Sequence, residues 1–189
     1  MVSRSAPNLL RVARVAVMTW LRQRDGVTCG PSVAVMAAAM LDVEYGTRLF
    51  SGEADAAQRW FHAEQGRVHR AINVVWPRAL GTTPAGMARA FNAHSAVRYR
   101  WRPARRRDPL ADVRAAVAAG WPVAMLIGST IPRHWVLLSE LGSDDDSALR
   151  CYEPSSGRTV TVDIGDIRAA TLTGLGFPRP FSFVLPTGY

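Results

Sequence analysis

The chain reads as an α+β protein. Segments of helical character fill the first half, and from about residue 96 apolar or alternating segments of strand character take over. The two kinds do not alternate along the chain, so a parallel βαβ arrangement is not expected. The 189 residues, with 48% hydrophobic and 20% charged content, fit one compact globular domain and exclude a disordered or fibrous chain. That domain is expected to span residues 1–189, with a helical lobe at about 9–95, a β-sheet lobe at about 96–185 and a cleft between them.

Residues 1–8 hold Ser3, Ser5, Pro7 and Asn8 and form a loose start, and Leu9–Leu21 mixes apolar residues with arginines as a helix or an extended lead-in. Gln23–Thr28, with Gly26, is a loop. Thr28 is the expected N-cap of an Ala- and Met-rich buried helix over Ser32–Leu41, with Pro31 in its first turn and Gly46 ending the unit. Ser51–Gln65 has acids early, as a helix start prefers, and is expected to close at Gly66. A short helix follows near Val68–Pro77, and Thr83-Pro84 opens another to Asn92.

The second half opens on Val97, Tyr99 and Trp101 alternating with Arg98, Arg100 and Arg102, a strand with one polar face. Asp108-Pro109 caps a helix at Leu110–Ala119, ended by Gly120. Pro122–Ile127 is apolar throughout, as at a sheet centre, and His134–Leu141 is the next strand. The acidic loop Gly142–Ser147 leads to Leu149–Glu153. A turn at Pro154–Gly157 leads to Arg158–Val162. A short helix over Asp163–Ala170 and a strand at Phe181–Leu185 complete the chain.

All 23 basic residues are arginine and the formal net charge is +8. Alongside frequent Ala, Gly, Pro and Val, this reads first as the codon bias of a GC-rich genome, and such a charge would also favour acidic partners, nucleic acid or anionic lipid. Two cysteines, Cys29 and Cys151, make no disulfide framework, and no zinc-type Cys/His spacing is present. No metal or other cofactor is expected. Arginines interrupt the apolar residues near the N-terminus, so no signal-peptide core forms, and no stretch approaches a membrane span. The expected location is cytoplasmic, with export by a signal-less route as the alternative. Oligomeric state has no signature in the sequence.

The chemistry concentrates at Gln23 and Cys29. A thiol at a helix start is favoured as thiolate by the helix end and by a neighbouring imidazolium. Of the four histidines, His62 and His69 lie on polar helical stretches and His94 at a helix end. His134 begins an apolar strand after a loop, where a side chain can reach a cleft. Glu153 ends the strand expected to pair with that one, and a carboxylate there can orient the imidazole. Asp163 and Asp166 are alternatives that read as caps. Cys29 would attack a carbonyl and His134 would protonate the leaving amine. The Gln23 amide and Cys29 N–H would hold the oxyanion, worth ~3 kcal/mol per donor.

Gln23 with Cys29-Gly30-Pro31, then His134-Trp135-Val136, then Tyr152-Glu153-Pro154 with Gly157, resembles the papain-fold cysteine peptidases over about residues 20–185. The nearest likeness is to the bacterial branch of bacteriocin-processing, double-glycine leader peptidases and their free-standing relatives. The resemblance implies a papain-like fold and a peptide or protein substrate. It implies catalytic roles for Cys29, His134, Glu153 and Gln23, and a substrate-binding edge at Gly30 and Trp135. Trp135 either covers His134 or packs in the core. Glu153 stands where the family usually has aspartate, so a longer carboxylate would have to reach His134 with a backbone adjustment. Within these 189 residues no membrane or nucleotide-binding module follows the motif, so an exporter role is not expected.

The leading function is therefore cleavage of a peptide or isopeptide amide through an acyl-thioenzyme. A glutamine deamidase or transglutaminase-type acyl transferase, as in a toxin or effector, uses the same intermediate. A catalytically silent binding protein of the same fold is a second class. The third is an arginine-rich nucleic-acid-binding domain, resting on the six arginines of Arg98–Arg107 interleaved with Tyr99 and Trp101. That stretch suits an acidic peptide equally well and reads first as a solvated strand face, so nucleic acid is not the expected partner. Cys151 is two residues from Glu153 on one strand, on the same side, and is expected in the core. Trp76 and Trp101 are candidates for core or cleft wall.

Overall fold

The computed structural model describes residues 20–50, 53–72, 81–142 and 147–189. The lead-in before Trp20, Ser51 and Gly52 of the expected Ser51–Gln65 helix, residues 73–77 of the expected Val68–Pro77 helix with Trp76, and the three-aspartate loop tip lie outside the described residues.

Helix α1, Cys29–Leu41, is the centre of the first half: every residue from Cys29 to Ala39 is buried. Its Ala-rich sequence has high helix propensity, and its lack of a polar face means it must be enclosed on all sides. Thr28 holds the N-cap position but does not cap with its side chain. Its hydroxyl instead donates to Asp25 O at 3.1 Å and accepts from Asp25 N–H at 3.1 Å, closing the preceding loop on itself.

The expected single unit to Gly46 is two helices. Asp42 is extended, ends α1, and accepts from Tyr45 N–H at 3.0 Å to open α2, Val43–Phe50. Helix α3 runs Ala54–Ile72 straight through Gly66, where the sequence suggests a break. The reason is tertiary. A Cβ on Gly66 would stand 3.3 Å from Arg24 Nη1, and Gln65 next to it accepts from Arg24 N–H at 2.9 Å. The glycine lets the loop before Cys29 lie on the helix, so the expected separate helix near Val68 is its last turn. Helix α4, Pro84–Asn92, starts as its sequence predicts, with Thr83 Oγ1 accepting from Gly86 N–H at 3.0 Å.

The second half forms β1 (Arg98–Pro103), α5 (Ala111–Ala118), β2 (Val123–Gly128), β3 (Pro132–Leu141), β4 (Ala148–Glu153), β5 (Arg158–Asp163), α6 (Ile164–Ala169) and β6 (Arg179–Thr187). The strands make one antiparallel sheet in the order β1-β6-β2-β3-β4-β5. The alternation expected for β1 holds for Tyr99, which is buried, but not for Trp101, which is 49% exposed. The cap of α5 is Leu110 rather than Asp108, whose carboxylate accepts from Leu110 N–H at 3.0 Å.

The first-half helices cover one sheet face, with Leu126, Trp135, Leu137 and Tyr152 in their core. Helices α5 and α6 cover the other, with Met125, Ile127, Val136, Leu138 and Cys151. Strands β2 and β3 are covered on both faces, which is why their sequences read as unbroken apolar runs. This is an α+β architecture, N-terminal helices packed on a curved antiparallel sheet, as the sequence predicts.

Candidate active site

Cys29 is the first residue of α1 and is 4% exposed. It lines a groove of about 190 Å³ whose other walls are Gly81–Pro84 on the helical side and Leu126, Pro132, Arg133 and Trp135 on the sheet side. First-turn N–H groups of a helix lack intrahelical acceptors, so the backbone here offers donors toward the groove end.

The helix start is held against the opposite wall by a close approach. A Cβ on Gly30 would fall 2.6 Å from Thr82 Cβ and 3.2 Å from Trp135 Cδ1. Trp135 Nε1 donates to Thr82 O at 2.8 Å, so indole, threonine and glycine form one contact set. Trp135 is a core residue of the helical side and also bounds the groove. Thr82 is the residue that sequence reasoning missed here. Its neighbour Thr83 carries a cap signal, but nothing local marks Thr82 as a wall.

His134 and Glu153 meet at one end of the sheet. Leu137 pairs with Tyr152, so the register brings Glu153 to Val136, diagonal to His134 on the same face. Across that diagonal Glu153 Oε1 lies 2.7 Å from His134 Nε2. The turn after Glu153 wraps its carboxylate: Ser155 N–H donates to Oε1 at 2.7 Å and Ser156 N–H to Oε2 at 2.8 Å.

These contacts set the charges. Burial works against the His134 cation, but Cys29 and Glu153 together outweigh it and raise its pKa to about 9. Burial likewise works against the Glu153 anion. The bonds from His134, Ser155 and Ser156 outweigh that and lower its pKa to about 2. With Nε2 on Glu153, Nδ1 is the ring nitrogen left for another partner.

The loop before Cys29 is tied to the Glu153 turn. Gln23 N–H donates to Pro154 O at 2.8 Å, and Tyr152 OH donates to Leu21 O at 2.8 Å. Gly157, at φ 69°, leaves room for that strand of chain: a Cβ there would meet Leu21 O at 2.9 Å. Gln23 is not a wall of the groove. Its Nε2 donates to Asp25 O at 2.8 Å, and its Oε1 is buried without a partner among the described residues.

The other candidates are used locally. His62 contacts Gln58 at 2.6 Å, His94 pairs with Asp42 at 3.1 Å, and His69 lies half-buried on α3. Asp163 caps α6 and Asp166 accepts from Thr171 OH. Cys151 is fully buried, burial pushes its thiol pKa far up, and both cysteines are free. Among the described residues no three His, Cys, Asp or Glu side chains could hold a metal ion, and no helix is long and apolar enough to cross a membrane.

No protein-family model matches the chain, and no curated protein matches it in sequence. In structure it is similar to the peptidase domain of Streptococcus ComA, a bifunctional ABC transporter involved in a quorum-sensing pathway. The TM-score is 0.51 at 16% identity, over 90% of this chain and 99% of that one. The fold is papain-like. At that identity the likeness speaks for the backbone architecture alone.

Proposed function

We propose that this papain-like chain is a thiol hydrolase that cuts a peptide or isopeptide amide through an acyl-thioenzyme. What supports the reading is the 2.7 Å contact of His134 Nε2 with Glu153 Oε1, together with the raising of the His134 pKa by both Cys29 and Glu153. Cys29 Sγ attacks the amide carbonyl carbon, and the His134 imidazolium gives its proton to the leaving amine. Water then attacks the thioester carbon, His134 takes its proton, and Cys29 is released. The Cys29 N–H is the donor for the oxyanion, joined by a Gln23 amide hydrogen once that side chain, which does not line the groove and is bonded to Asp25 O, turns toward it. Glu153 keeps Nε2 occupied and balances the cation, so Nδ1 carries the proton in flight. An amine in place of water as acceptor turns the same intermediate to acyl transfer.

Alkylation tests the reading. Iodoacetamide should label Cys29 much faster than Cys151, and His134→Ala should slow Cys29 labelling about tenfold or more. Slow labelling of both thiols, unchanged by His134→Ala, would sink the hydrolase and leave a silent binding protein of the same fold.

A further inference from the structure

The arginine run after β1 faces a site of its own. Arg105, Arg106 and Arg107 are exposed at a loop tip, and beside them lie Arg168 on α6 and Arg179 at the start of β6. The five line one groove of about 690 Å³, floored by Ile167, Ala169 and Pro180. A second groove of about 350 Å³ continues it along Arg107, Gly165 and Arg168. No acidic side chain of the described residues lines either groove, and none of the five guanidiniums has an ion pair or side-chain hydrogen bond among them.

The local acids are already committed. Arg102 binds Asp108, and its Nε reaches Asp112 at 2.6 Å, while it stacks on Phe183 with 4.9 Å to the ring centre. Asp108 in turn accepts from Leu110 N–H and, at 3.4 Å, from Arg105 N–H. Arg102 thus neutralises the carboxylates and stiffens the turn, and the next three arginines project past it unpaired. All three non-glycine residues at positive φ among those described are here: Arg107 (58°), Leu110 (56°) and Ala170 (59°). Two of them line the larger groove. Ala170 is the left-handed C-cap that ends α6 at the groove.

The position and composition of the groove select the occupant. Gly128 pairs with Arg179 on one side and Pro132 on the other, so Arg179 and His134 lie at the same end of the sheet. Ala104 N–H bonds Phe181 O, which brings the Arg105–Arg107 loop to that end too. No aromatic ring lines the groove: Tyr99 is in the core and the exposed Trp101 is not among the lining residues, so bases would have no stacking platform within it. Planar guanidiniums do match carboxylates, two bonds at a time. We infer that the Arg105–Arg107, Arg168 and Arg179 groove binds a carboxylate-rich segment of a protein substrate, outside the Cys29 groove. The word substrate rests on the peptidase reading; the binding of acidic peptide does not.

Anisotropy of a fluorescein-labelled oligoglutamate peptide, read on the full chain carrying Cys29→Ala, tests the site. Arg105→Ser/Arg106→Ser/Arg107→Asn should weaken binding about tenfold or more, asparagine being chosen because it tolerates positive φ. Arg168→Ser/Arg179→Ser, on other elements, should weaken it as well. Arg48→Ser/Arg59→Ser/Arg70→Ser removes the same charge from exposed helical positions and should change it less than about twofold. Absence of binding at low salt, equal loss in the helical variant, or an oligouridylate of equal length binding as tightly would each overturn the assignment. If oligoglutamate binds as expected but Cys29 fails the alkylation test, the groove stands and the peptidase reading falls.

Discussion

At the scale of single residues, the decisive group is His134. It is 7% exposed, and an imidazole so sheltered would ordinarily stay neutral. Glu153 and Cys29 reverse that preference. Removing one of them should therefore move the titration in a known direction. In Glu153→Gln the His134 pKa should fall from about 9 by roughly 1–3 units, because an adjacent anion is lost while burial remains. NMR titration of the His134 ring protons reads this directly, and an unchanged midpoint would remove Glu153 from the pair.

At the scale of elements, the start of α1 is a packing problem before it is a chemical one. Gly30 is there because Thr82 and Trp135 occupy the space of a side chain. Gly30→Ala should destabilise the protein by about 1–3 kcal/mol through overpacking. It should also push the Gly81–Pro84 wall away from Cys29. Urea unfolding measures the first effect, and the Cys29 alkylation rate reports the second; a variant as stable as the parent would mean that this wall yields freely. The same kind of contact corrects the helix reading at Gly66, a close-approach glycine and not a stop. Both glycines look alike in sequence, because what distinguishes them is the atom on the other side.

At the scale of the whole molecule, the sheet gathers both grooves at one end, and stability there depends on pH. His134 binds its proton more tightly folded than unfolded, about 9 against an ordinary 6.5. Its contribution is complete below about pH 6.5 and is lost as pH rises through about 9, with at most about 3 kcal/mol at stake. Glu153 works in the opposite sense: held at about 2 against 4.5, it contributes above about pH 4.5, and that is lost as pH falls through about 2. Stability read by urea unfolding should accordingly fall between pH 6 and 9.5 by more in the parent than in His134→Gln. Equal loss in both proteins would place the pH dependence elsewhere.

Sequence alone determined the class of the fold, since helical and strand periods segregate into two halves and apolar runs mark the strands covered twice. It also brought out Cys29, His134 and Glu153, because a helix start, a strand start and a strand end can be read locally. Only the tertiary structure decided what those residues touch. Sheet register joins His134 to Glu153, the Asp25 loop absorbs the Thr28 hydroxyl, and Thr82 builds a wall that no local pattern announces. The arginine run divides in the same way: its charge is written in the sequence, but its division into a paired Arg102 and an unpaired groove arises from acids, α6 and β6 brought together by the fold.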